Sequence, residues 1–191
     1  YAMESINLQS QREIERKKYQ WINENDKTYG SSFHGKRIVD FLLHNKKNIS
    51  SIVDIGTGRG EFCKWAVENL CEEVYGVDFV FEPYENNKHK NITYYKTYAH
   101  DLPFENKQID ILTSFDMLEH LVEEDVDIVL KEFYRVTSKK FIFSICTNDS
   151  CSFRDNVGTL HPTVKDLNWW HNKISKYGKI ERYNGYTIVT L

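Results

Sequence analysis

Proline is scarce in this 191-residue chain, with three in all, and glycine contributes nine. So few breakers, beside 40% hydrophobic and 28% charged residues, exclude a disordered or collagen-like polypeptide and describe a folding globular domain. A surplus of positive charge is also missing. The 25 basic residues face 28 acidic ones for a formal charge of -3, which supplies no general field for nucleic acid or an anionic membrane. No apolar run approaches the roughly 20 residues that span a bilayer, and no segment resembles a secretory signal. The four cysteines, Cys63, Cys71, Cys146 and Cys151, lack the close pairing of a zinc site and read as reduced thiols of a cytoplasmic protein. The length leaves room for one domain with a real core and not for two.

What is present is an alternation of short apolar runs with helical ones. Residues 4–25 are polar, without glycine or proline, and carry scattered apolar points such as Ile14, Trp21 and Ile22, which predicts an amphipathic helix. After a loop at 29–35, Ile38, Phe41 and Leu42 fall at helical spacing. Strands are expected at 51–55, 73–77, 92–96, 109–114 and 140–145, with helices at 61–70 and 123–136 between them. Such alternation implies right-handed crossovers and a doubly wound α/β sheet, mostly parallel, with helices on both faces. At the end, runs at 179–183 and 186–190 flank Asn184-Gly185, the dipeptide suited to a type I′ turn, so an antiparallel hairpin completes seven strands. Residues 1–36 are expected to form a lid-like segment of the same domain, and residues 37–191 its body.

The stretch Ile52-Val-Asp-Ile-Gly-Thr-Gly-Arg-Gly-Glu-Phe62 reads as a buried strand, a glycine-rich turn and a helix start. Such a turn either brings the backbone close to a ligand, with free N–H groups aimed at an anion, or simply permits a tight connection. A dinucleotide fingerprint would need glycine where Glu61 stands, which disfavours nicotinamide and flavin cofactors. Val74-Tyr-Gly-Val-Asp78 then ends a strand in a carboxylate, placed to accept from two ribose hydroxyls or to cap the next helix. Further on come Ala99-His-Asp-Leu-Pro-Phe104 and Leu118-Glu-His-Leu121.

These three ordered pieces, with Asp54 ahead of the turn, resemble the class I methyltransferases over about residues 38–145. The resemblance implies S-adenosylmethionine as cofactor and S-adenosylhomocysteine as product. It implies that Gly56, Thr57, Gly58 and Gly60 pass beneath the methionine part, and that Asp54, Asp78, Phe79, Ala99, His100 and Phe115 also meet the cofactor. Many relatives carry an acidic residue just before the position of Ala99, where this chain has Tyr98. Adenine would then be held by the Ala99 and His100 backbone and by stacking.

Methyl transfer is an in-line displacement at a carbon already activated by sulfonium, so alignment and water exclusion are the main demands and no metal is required. An alcohol acceptor gains from a general base near the working pH, a task suited to histidine, whereas an amine needs only to be neutral. Of seven histidines, His120 and His161 fall beyond strand ends where acceptors bind in open α/β folds. His120 either faces the transferred methyl or serves structure. His161 lies in Asn156-Val-Gly-Thr-Leu-His-Pro-Thr163, a loop before a predicted helix that Thr163 would cap. Together with Trp169 and Trp170, this loop resembles small methyltransferases linked to sugar modification. One tryptophan is expected to pack in the core and the other to border the pocket. Tyr19, Tyr29 and His34 would close over the cofactor if the first helix folds back. The expectation is O-methylation of a small, sugar-like acceptor with His161 as base, by a monomer or homodimer needing neither nucleic acid nor membrane. N-methylation, or cofactor binding without turnover, is the alternative.

Overall fold

The computed structural model describes residues 2–148 and 153–191, so the expectation for Cys151 lies outside the described residues. The chain runs α1 (Ala2–Asn25), α2 (Val39–His44), β1 (Ser51–Ile55), α3 (Glu61–Asn69), β2 (Glu73–Asp78), β3 (Ile92–Lys96), β4 (Ile109–Phe115), α4 (Glu123–Val136) and β5 (Thr137–Ser144). A small hairpin of β6 (Phe153–Arg154) and β7 (Gly158–Thr159) follows, then α5 (Leu167–Ile174), β8 (Lys179–Tyr183) and β9 (Tyr186–Thr190).

Seven strands form one sheet in the order β3-β2-β1-β4-β5-β9-β8, parallel except where β9 pairs with β5 and β8. The doubly wound sheet and terminal hairpin are therefore as the sequence implies. Asn184 (φ 49°) and Gly185 (φ 92°) turn the hairpin, both in the left-handed region that a type I′ turn demands. Side chains alternate across the sheet. Ile52, Ile111, Ile142 and Ile188 join α2 and α3 on one face, while Val53, Leu112, Phe141, Phe143 and Val189 join α4 and α5 on the other. Phe133 and Trp170 are fully buried on this second face, and truncating either to alanine would cost about 3–5 kcal/mol.

β5 starts at Thr137, earlier than the expected 140, because Thr137 is at once the cap of α4 and the first strand residue, with no loop between. The β6–β7 hairpin is not foreseen either, since two-residue strands carry no readable alternation. Among the described residues no helix is long and apolar enough to cross a membrane. The sheet grows outward from β1 through β2 to β3 on one side and from β4 to β5 on the other. That reversal between β1 and β4 opens a crevice beyond their carboxyl ends, where ligands of such folds bind.

Candidate active site

A cavity of about 540 Å³ fills that crevice. Nine of the ten expected cofactor residues line it: Asp54, Gly56, Thr57, Gly58, Asp78, Phe79, Ala99, His100 and Phe115. Gly60 does not; it caps α3 at φ +87°, and a Cβ there would meet the Tyr94 hydroxyl at 2.5 Å. Tyr19, Tyr29 and His34 form the roof, and His120 and His161 the far end. The roof is held by α1, whose Arg12 Nε donates to the buried Asp125 of α4 at 2.8 Å and whose Lys18 Nζ donates to the Thr159 carbonyl at 3.0 Å.

The turn at 56–60 does not present free N–H groups to an anion. Gly56 and Thr57 N–H donate to the Val77 carbonyl (2.8 and 3.1 Å), Gly58 N–H to Asp78 Oδ2 (3.1 Å), Arg59 N–H to the Gly30 carbonyl (2.9 Å) and Gly60 N–H to the Thr57 carbonyl (3.0 Å). The expectation of an anion cradle is thus corrected, because the fold itself consumes the donors. Glycine is needed here for closeness: Gly58 sits at φ +57°, and a Cβ would lie 2.5 Å from the Gly30 carbonyl oxygen.

Of the two readings offered for Asp78, the structure shows the capping one, on a turn and not a helix. Val80 and Phe81 N–H donate to Oδ1 at 2.9 Å each, so it caps the next turn, while Oδ2 takes Gly58. A carboxylate has about four acceptor positions, so one remains, on Oδ2, rather than the two that a pair of ribose hydroxyls would occupy. Burial pushes its carboxyl above the ordinary range, against the pull of those three N–H groups. Asp54, buried beneath the turn, accepts from Thr113 Oγ1 at 2.8 Å, and burial pushes it up to about 7.

Tyr98 forms the middle of an aromatic stair. Its ring stacks on Phe79 (centroids 5.6 Å apart) and on His100 (5.2 Å). Burial, reinforced by the Arg12 guanidinium, lowers the His100 pKa, which leaves a neutral, flat ring beside Ala99.

At the far end the rings of His120 and His161 lie 4.6 Å apart, edge to face. His120 Nδ1 is 2.7 Å from the Leu160 carbonyl, with the Tyr19 hydroxyl against the same nitrogen. A carbonyl only accepts, so Nδ1 carries the proton and Nε2 the lone pair. Burial lowers this imidazole to about 4 and keeps it neutral. His161 Nδ1 lies 3.4 Å from the Asn148 carbonyl, and its ring is buried. Beside them stands Glu119, fully buried, with Oε1 accepting from Cys146 N–H at 3.1 Å and Oε2 without a hydrogen-bond partner. Burial pushes it up to about 8.

Sequence reasoning gave Glu119 no role; its place in the apolar run Met117-Leu-Glu-His-Leu-Val122 was the available signal. It also missed Asp116, at φ 48°, which pairs with His34 Nδ1 at 2.8 Å. Two smaller expectations are corrected. Thr163 does not cap α5: its hydroxyl donates to the Leu121 carbonyl at 2.7 Å, and Asp166 takes the cap through Trp169 N–H at 2.8 Å. Trp170 packs in the core as expected, but Trp169 turns away from the cavity toward the ammonium groups of Lys165 and Lys173.

A doubly wound sheet with a glycine turn at its switch point and a carboxylate ending the second strand defines a nucleoside-type cofactor fold. Residues 53–145 match the family model of a methyltransferase domain. Residues 53–145 therefore form a methyltransferase domain of the class I, S-adenosylmethionine-dependent kind, an enzyme domain whose cofactor is S-adenosylmethionine. Solved structures share the fold. A Pyrococcus horikoshii protein is 20% identical with a TM-score of 0.62, over 87% of this chain and 92% of that one. An S-adenosylmethionine dependent methyltransferase of Mesorhizobium loti is 18% identical with a TM-score of 0.60, over 83% and 99%. One from Aquifex aeolicus is 15% identical with a TM-score of 0.56, over 87% and 92%. No curated protein sequence matches the chain.

Proposed function

We propose that the enzyme methylates a hydroxyl of a small polar acceptor, a sugar or sugar-containing metabolite, and that the acceptor binds between the cofactor and His161. The observation that carries this reading is the pair of imidazoles, 4.6 Å apart, at the end of the cavity opposite Asp78. A neutral imidazole can take the proton an alcohol must lose, which an amine acceptor would not need. In this reading His161 is the base, and His120, tied to Leu160, orients it. Asp78 takes one ribose hydroxyl through its remaining lone pair, and Ala99 with the Phe79–Tyr98–His100 stair holds adenine. Asp54, Thr57, Gly58 and Phe115 shape the seat of the methionine part, Gly56 and Gly60 set its backbone, and residues 1–36 close over it as a lid. The acceptor is free in the cytoplasm, and neither nucleic acid nor membrane takes part.

Incubating the enzyme with methyl-labelled cofactor and panels of sugars, sugar nucleotides and amines tests this. Label on a sugar oxygen, reduced about a hundredfold in His161→Ala, is the expected result. Label on amines alone would replace the reading with N-methylation, and cofactor binding without any label would point to a binding protein.

A further inference from the structure

Glu119 presents a physical problem that methyl transfer leaves untouched. A fully buried carboxyl faces the cavity with one oxygen bonded to Cys146 N–H and the other bonded to nothing. As an anion it lacks a countercharge, and as an acid it lacks an acceptor for its proton; either condition is costly in a dry interior. The neighbours add donors of one kind only. His120 and His161 each bring a ring nitrogen, and these with a Glu119 oxygen all lie within 4.8 Å of one another. Because the Leu160 carbonyl fixes the His120 proton on Nδ1, its other nitrogen carries a lone pair.

We propose that Glu119, His120 and His161 bind a first-row divalent transition ion. Two imidazoles and one carboxylate suit zinc and its neighbours in that row, and three protein ligands leave a coordination position open toward the cavity. The Leu160 carbonyl behind His120 is the kind of outer partner that orients a ligating imidazole. In a tetrahedral site, ligands about 2.1 Å from the ion lie about 3.4 Å apart, so binding draws the three ligand atoms in from their span of up to 4.8 Å by as much as about 1.4 Å.

The ion also changes what His161 does. Its lone pair is then committed, and an acceptor hydroxyl reaching the open position would lose its proton to water more readily through the ion's charge. That oxygen forms the new C–O bond as the C–S bond of the sulfonium breaks. This last step rests on the hydroxyl-acceptor reading; the binding of the ion does not.

The test is titration of chelator-treated full-length protein with cobalt(II) chloride, followed by its visible d–d absorption, and with zinc chloride by calorimetry. One ion per chain is expected, with affinity at least about tenfold weaker in Glu119→Gln and in His161→Ala. The Glu119→Gln change is isosteric, and unaltered S-adenosylhomocysteine affinity in that variant reports an intact fold. No saturable binding to the wild type, or equal binding to Glu119→Gln, overturns the proposal while leaving methyl transfer standing. Ion binding without methylation of any hydroxyl would instead retain the site and remove the acceptor reading.

Discussion

The two ends of the cavity are made of different materials. Near β1 and β2 the wall is backbone, and every N–H of the turn at 56–60 already has a partner within the fold. Around Glu119, His120 and His161 the wall is side chain, and a buried oxygen is left over. The first end is a rigid seat whose shape comes from glycines and whose donors are spent, which suits a sulfonium cofactor better than a phosphate. The second brings together the neutral imidazole of His120, the ring of His161 and the unbonded Oε2 of Glu119, and its geometry depends on what arrives. A change at the seat should therefore act on cofactor binding and stability, and a change at the far end on turnover.

That separation can be broken in several places. The largest effect is expected from His161→Ala, with turnover down about a hundredfold and S-adenosylhomocysteine affinity within about threefold of wild type by calorimetry. Equal losses in both would mean the ends are not separable. Gly58→Ala should do the reverse, because it forces a Cβ against the Gly30 carbonyl at positive φ. A stability loss on the order of 1–3 kcal/mol in urea unfolding, with weakened cofactor binding, is expected.

Asp54 sharpens the comparison through pH. Its carboxyl titrates at about 7 in the fold and at about 4 in the unfolded chain. Between these values the folded state keeps a proton that the unfolded chain has lost, so this group makes stability fall as pH rises. Asp54→Asn should flatten that slope and leave the variant more stable than wild type at pH 8, on the order of 1–3 kcal/mol. A variant that is less stable than wild type at pH 8 would contradict the assignment. The smallest effect belongs to the roof. Arg12→Gln removes the partner of the buried Asp125, and a loss of about 1–3 kcal/mol is expected locally, as faster hydrogen exchange in α1 with little change in the sheet.

The same contrast explains what could be read from the sequence. β1, its turn and Asp78 were legible because a buried strand, a glycine pattern and a strand-end acid are local signals. The apolar runs at 51–55 and 109–114 marked strands in the same way, while the division of Ile52 and Ile111 from Val53 and Leu112 between the two faces came with the structure. What escaped was set by tertiary contact. Thr163 looks like a cap until the Leu121 carbonyl takes its hydroxyl. Glu119 has no visible role until the fold buries it against Cys146 N–H after β5. The turn N–H groups look free until Val77, Asp78 and Gly30 claim them.

The most direct test of the cofactor seat is calorimetric titration of S-adenosylhomocysteine into wild type and Asp78→Asn. Asparagine keeps an acceptor for Val80 and Phe81 but replaces the other oxygen with a donor. One-to-one binding to wild type, weakened at least about tenfold in the variant, is the result this account expects. Equal affinity in the two proteins, or no binding to the wild type, would contradict it.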